Sequence, residues 1–300
     1  MNTQVKIKDI TFKNPVITAS GTFGFAHEYE KYMDVNLLGG VCSKGITLIP
    51  KDGNAGTRIH EVSSGIINSI GLENKGVEYF IEEELPKMKK YDTVVIANVG
   101  GNDIHDYVKA VELLNDTAVD MIELNISCPN VKCGGMAFGI DENTAFDVVS
   151  KVRKACKKSL AVKLSPNAHD MEKMALRCEE AGADAISMVN TFNALAIDID
   201  KRKPVFDNVT AGLSGACIKP IALAMVYKVC KLVKVPVIAM GGITDYKDAI
   251  EFIMAGATAI QVGSANFIKP DITVDIINGI KDYMSKNNID DLSQIRGCIL

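Results

Sequence analysis

The run Asn125-Ile-Ser-Cys-Pro-Asn130 is the most distinctive of this sequence, and its Cys128 carries a thiol that could transfer a proton. It leaves the β-rich stretch MIELNIS (121–127) at a proline and enters the glycine-rich VKCGGMAFG (131–139). A thiol placed there could accept a proton from a bound substrate. Its ordinary pKa of about 8.5 leaves little thiolate at neutral pH, so such a reaction should speed up toward alkaline pH unless the site shifts the group. A buried, inert thiol is the commoner role, and it is the reading for Cys42, Cys156, Cys178, Cys217, Cys230 and Cys298. Cys133 follows five positions after Cys128 with no third or fourth ligand nearby, so no metal site is expected. His27, His60, His105 and His169 read as loop or helix-surface residues and none falls at the end of a β-rich run, although His60 and His169 lie near loops that could enter a site there.

Other polar residues stand at the ends of apolar runs: Ser20, Lys44, Asn98, Asn125, Lys163, Asn190, the pair Gly241 and Gly242, and Gly263 with Ser264. Singly, each could be a solvated strand end. Together, two lysines and three asparagines at corresponding positions suit a polar ligand pocket better than a core. The glycines suit a phosphate cradle, because a bare backbone approaches an anion closely. TDYKDA (244–249) then opens a helix whose N–H groups favour negative charge.

Eight runs must carry these residues: PVITAS (15–20), GGVCSK (39–44), TVVIANV (93–99), MIELNIS (121–127), LAVKLS (160–165), AISMVN (185–190), VPVIAMGG (235–242) and AIQVGS (259–264). Helix-like stretches lie between them, at 104–115, 142–157, 171–181, 219–232 and 245–255. Eight strand-then-helix units point to an α/β fold, a closed (β/α)8 TIM barrel with its chemistry at the C-terminal ends of the strands. An open doubly wound sheet is the alternative. VKIKDITFKN alternates like a short β-hairpin covering the N-terminal end of the barrel. Segments 46–74 and 191–218 exceed ordinary connections and are expected to be inserted functional loops at the C-terminal face.

Composition narrows the classes of function. The 300 residues carry 33 Lys+Arg against 37 Asp+Glu, a formal net charge of -4, which offers no general attraction to nucleic acid. With 47% hydrophobic residues and no composition break, one packed domain over residues 1–300 is expected. The start MNTQVKIKD is not secretory, and the stretch from Phe252 to Ile268 reads as buried strand and loop rather than a membrane span. A cytoplasmic protein with reduced thiols is expected.

The motifs ASGTFGF (19–25), SKGIT (43–47), NSIGLEN (68–74), ANVGG (97–101), ELNISCPNVK (123–132), VKLSPN (162–167), VNTF (189–192), GLSG (212–215), MGGI (240–243) and QVGSANF (261–267) resemble class 1 dihydroorotate dehydrogenases over essentially the whole chain. Cysteine at position 128, followed by GGMAFG, is most similar to the NAD-linked 1B catalytic subunit. The resemblance implies an FMN-containing barrel that oxidises (S)-dihydroorotate to orotate in pyrimidine biosynthesis. Hydride would pass from substrate C6 to flavin N5, and Cys128 would take the C5 proton. It implies substrate binding by Lys44, Asn68, Ser69, Ile70, Gly71, Leu72, Asn125, Asn190 and Thr191. FMN contacts are implied at Ser20, Lys44, Gly45, Asn98, Asn125, Lys163, Val189, Gly215, Gly241, Gly242, Gly263 and Ser264. A homodimer is implied, joined by a different electron-transfer subunit that carries FAD and an iron–sulfur cluster and reduces NAD⁺, giving a heterotetramer. The sequence has neither cluster-type cysteine spacing nor a Gly-x-Gly-x-x-Gly fingerprint, consistent with those groups lying on another chain. A 1A-type homodimer using fumarate is the near alternative, and a non-catalytic barrel binding a phosphate ligand is the distant one.

Overall fold

The computed structural model describes residues 1–127 and 138–300. The chain begins with strands β1 (Val5–Ile7) and β2 (Ile10–Phe12), an antiparallel hairpin as expected. Next come β3 (Val16–Thr18), β4 (Gly40–Cys42), β5 (Ile59–Val62), β6 (Gly65–Asn68), β7 (Val94–Val99) and β8 (Met121–Asn125). The remaining strands are β9 (Ser159–Lys163), β10 (Ala185–Met188), β11 (Phe192–Leu195), β12 (Ile197–Asp198), β13 (Lys203–Pro204), β14 (Thr210–Ser214), β15 (Val237–Met240) and β16 (Ala259–Val262).

Eight of these strands, in the order β10-β15-β16-β3-β4-β7-β8-β9, form a closed parallel barrel. β3 closes the ring by pairing with both β16 and β4, which rules out the open sheet. The barrel strands are the eight β-rich runs of the sequence. Buried on both faces, they need apolar residues throughout, which is why they read as continuous runs rather than alternating ones. The intervening helices begin where short acidic side chains cap their free N–H groups. Asp103, Asp141, Asp170 and Asp245 each accept a hydrogen bond from the first turn of the helix that follows. A long terminal helix, Ile272–Lys286, not anticipated from the sequence, packs against the helix Tyr246–Met254 and β3.

The hairpin covers the N-terminal end of the barrel. Its Phe12 ring is fully buried and so close to Gly40 that a Cβ there would come within 3.1 Å of it. Lys8 reaches Asp184, just before β10, at 3.0 Å. The long inserted segments differ from the expectation of loops. Part of their length forms a four-stranded antiparallel sheet, β11-β14-β6-β5, in which Asn68 lies opposite Gly212. Pairing between segments about 145 positions apart leaves no local periodicity to read. No helix among the described residues is long and apolar enough to cross a membrane.

Candidate functional site

A cavity of about 340 Å³ opens at the C-terminal ends of the barrel strands. Its wall gathers Ser20, Lys44, Gly45, Asn125, Lys163, Val189, Asn190, Thr191, Gly241, Gly242, Gly263 and Ser264 from the rim. The inserted segments add Asn68, Ile70, Gly71, Leu72 and Gly215. Two of the expected residues that the structure describes do not line it. Ser69, just past the end of β6, is buried, and its hydroxyl accepts hydrogen bonds from the amides of Asn54 and Asn208. Asn98 lies wholly buried beneath the wall. Cys128, the expected proton acceptor, lies outside the described residues, as does Cys133.

The cavity is electropositive at two points. Lys163, 4 % exposed, ends β9 at the cavity floor, with its Nζ 3.7 Å from Glu123 Oε1. Lys44 follows β4, and among the described residues its ammonium has no ion-pair or hydrogen-bond partner. A cation as buried as Lys163 is costly without a hydrogen-bonded partner, and Lys44 is half-buried, so the two ammonium groups suit a ligand that is anionic or rich in acceptors.

Glu123 was not singled out from the sequence, although it stands as a lone acid inside MIELN. In the folded chain it is fully buried inside the barrel. Asn98 Nδ2 donates to its Oε1 at 2.6 Å and Gln261 Nε2 to its Oε2 at 2.8 Å. Burial alone would push this carboxyl up. The Lys163 charge, the Gln261 and Asn98 hydrogen bonds and the nearby Ser187 hydroxyl outweigh it and hold the group below the ordinary carboxylate range. The adjacent Cys42 thiol is pushed well up, first by burial and then by the Glu123 charge, and is a neutral, weak donor to that carboxylate.

An ionised carboxylate accepts only, and this fixes the direction of a chain of amides. Because Asn98 spends its Nδ2 on Glu123, its Oδ1 faces Asn125 Nδ2, 3.2 Å away. Asn125 then presents Oδ1 to the Ser127 hydroxyl at 2.9 Å, and that hydroxyl accepts from Asn190 Nδ2 at 2.7 Å. Asn190 Oδ1 in turn takes the Thr191 N–H at 2.8 Å. Tyr107 secures the end of β8 by donating to the Asn125 carbonyl at 2.8 Å. The array reaches from the barrel interior to the cavity wall with each amide oriented by its neighbour.

On the opposite side the backbone forms the cradle. Gly242 has φ +76°, and a Cβ there would meet the Lys219 nitrogen at 2.8 Å and the Gly215 carbonyl at 2.9 Å. Among the described residues no protein acceptor takes the N–H groups of Gly242, Ile243 or Ser264. The start of the helix Tyr246–Met254, where TDYKDA suggests an anion site, carries acidic side chains of its own. Asp245 caps it, and Asp248 accepts from Thr244 N and Oγ1 while pairing with Lys219 at 2.7 Å. Its start is already filled with negative charge. The open N–H groups lie on the loops after β15 and β16.

None of the four histidines lines the cavity. His60 sits in β5 rather than on a loop or helix, edge-on to Phe206. Among the thiols read as buried, Cys42, Cys156 and Cys178 are so, whereas Cys217 and Cys298 are exposed and Cys230 is half-buried.

A family model described as dihydroorotate dehydrogenase matches residues 2–284. The chain is 60% identical, over the full length of both proteins, to the protein of Petrotoga mobilis named dihydroorotate dehydrogenase B (NAD(+)), catalytic subunit. Proteins of the same name from Thermoanaerobacter sp. strain X514 and Bacteroides thetaiotaomicron are 50% and 48% identical, with 98% or more of each chain covered. With its barrel, its rim motifs and these relatives in agreement, the chain belongs to the dihydroorotate dehydrogenase family.

Proposed function

We propose that this chain is the catalytic subunit of an NAD-linked dihydroorotate dehydrogenase, oxidising (S)-dihydroorotate to orotate in the cytoplasmic synthesis of pyrimidines. The observation that carries this reading is one cavity with two ammonium groups, an oriented amide array and a glycine cradle, in a chain aligned end to end with relatives of that name. Residues 1–300 act as a single FMN-binding domain in it.

The residues fit FMN. Gly241, Gly242, Gly263 and Ser264 would hold the phosphate through the open backbone cradle, where a Cβ at Gly242 would collide with the chain. Ser20, Gly45, Val189 and Gly215 would line the bound group, and Lys163 would offer its ammonium to a ring edge rich in acceptors. Asn98 would act from below, through Asn125. Bound FMN supplies the hydride acceptor that the side chains lack.

The chain's own residues orient the substrate and move its proton. Orotate is a planar ring of amide groups with a carboxylate. Asn68, Asn125, Asn190 and Thr191 offer matched donors and acceptors to its edges, and Lys44 offers a cation to its charge. Ile70, Gly71 and Leu72 would close the apolar side of the cavity, with Ser69 supporting them from just past the end of β6. Cys128 is the base that takes the C5 proton. Ser127, which precedes it in sequence, is held by Asn125 and Asn190.

Electrons would leave for NAD⁺ through a partner subunit carrying FAD and an iron–sulfur cluster, two copies of each subunit forming a heterotetramer. Purified protein should be yellow and should reduce NAD⁺ only when the second subunit co-purifies. Turnover of fumarate by this chain alone would replace this reading with the 1A type, and protein that refuses FMN would overturn it.

A further inference from the structure

Only two charged residues lie within the eight barrel strands, Glu123 and Lys163. Enclosing a carboxylate in a barrel is costly, and an ion pair recovers this fully only at close contact with good hydrogen bonds. Here the contact is long. At 3.7 Å the Lys163 ammonium lies beyond the roughly 2.7–2.9 Å of a charge-assisted hydrogen bond. Glu123 is held back by Asn98 from β7 and Gln261 from β16, each bonded to a different carboxylate oxygen. A carboxylate tied from two sides attracts the ammonium without capturing its N–H donors.

We propose that Glu123 is a positioning residue for Lys163, anchoring the ammonium at the cavity floor while leaving its donors for the ring edge of the bound flavin. The inference rests on the flavin reading above. Without Glu123 the four-carbon stem of Lys163 has no fixed point, and its charge moves from the place where negative charge collects on the ring.

Sulfite tests this without turnover. It adds through sulfur to flavin N5, and the displaced electron pair leaves negative charge on the N1–C2 edge, so adduct affinity reports the cation beside that edge. FMN-loaded wild type, Glu123→Gln, Lys163→Met and the double variant are titrated with sulfite and followed by bleaching of the flavin band, with folding checked by thermal unfolding. Glu123→Gln is expected to weaken the adduct at least tenfold, and Lys163→Met at least as much. The double variant should be no weaker than Lys163→Met alone, because Glu123 acts through Lys163.

An unchanged or tightened adduct in Glu123→Gln, or additive losses in the double variant, overturns the proposal. If Glu123→Gln does not fold, Gln261→Leu, which frees one carboxylate oxygen, is expected to weaken the adduct in the same direction by about threefold, and no change there overturns it. Wild-type protein that takes up no FMN overturns both readings, whereas wild type that binds FMN beside insensitive variants overturns only this one.

Discussion

The two ends of the barrel are built from the same strands and do opposite work. At the N-terminal end, Val5, Ile7 and Phe12 of the hairpin plug the barrel with apolar side chains, and the charged groups, such as Lys8 and Asp184, pair near solvent. At the C-terminal end the strands finish in Lys44, Asn125, Lys163 and paired glycines, and charge is drawn below the surface. A closed barrel makes this division possible. One end can supply stability by exclusion of water, so the other can hold polar groups that a core would not tolerate.

Substitutions at the two ends should therefore separate catalysis from stability. The largest effect is expected at the rim. Cys128→Ser should slow substrate-dependent flavin reduction by about 10²- to 10⁴-fold while FMN stays bound, as measured by stopped-flow absorbance. In the unsubstituted protein the same rate should rise with pH as the thiol ionises, and a flat profile through pH 9 would remove Cys128 from the role of base. Gly242→Ala should weaken FMN at least tenfold, because the new Cβ collides with Lys219 and Gly215 at a backbone angle that suits glycine. Fluorescence titration of the apoprotein would show it.

At the other end the pattern should invert. Phe12→Ala should cost about 3–5 kcal/mol in denaturant unfolding, with kcat/KM for the remaining folded protein unchanged. A fall in kcat/KM would show that the two ends are coupled. The smallest effect belongs to Lys8→Ala, which should cost less than about 1 kcal/mol. Its pair is partly exposed, and Asp184 keeps hydrogen bonds from Arg153 and the Leu160 N–H.

The difference between the ends also explains what the sequence made legible. Barrel strands such as VVIAN and SLAVK announce themselves because both faces are buried, and a polar residue closing such a run marks the rim. Lys44, Asn125, Lys163 and the glycine pairs were visible in this way. Glu123 was harder, since a single acid within a strand looks like any outward-facing residue until the ring closes around it. The inserted sheet was hidden because β6 and β14 are distant in sequence, and only the folded chain brings Asn68 beside Gly212. Ser69 and Asn98 carry site-like chemistry but point it into supporting networks. Side-chain direction, unlike residue type, is set by tertiary packing.

If the rim oxidises a dihydropyrimidine with a bound flavin as acceptor, an anaerobic flavin spectrum shows it. Adding (S)-dihydroorotate to the FMN-loaded protein under strict exclusion of oxygen should bleach the flavin band and release one equivalent of orotate per flavin. A spectrum that stays oxidised, with the substrate recovered unchanged, would contradict it.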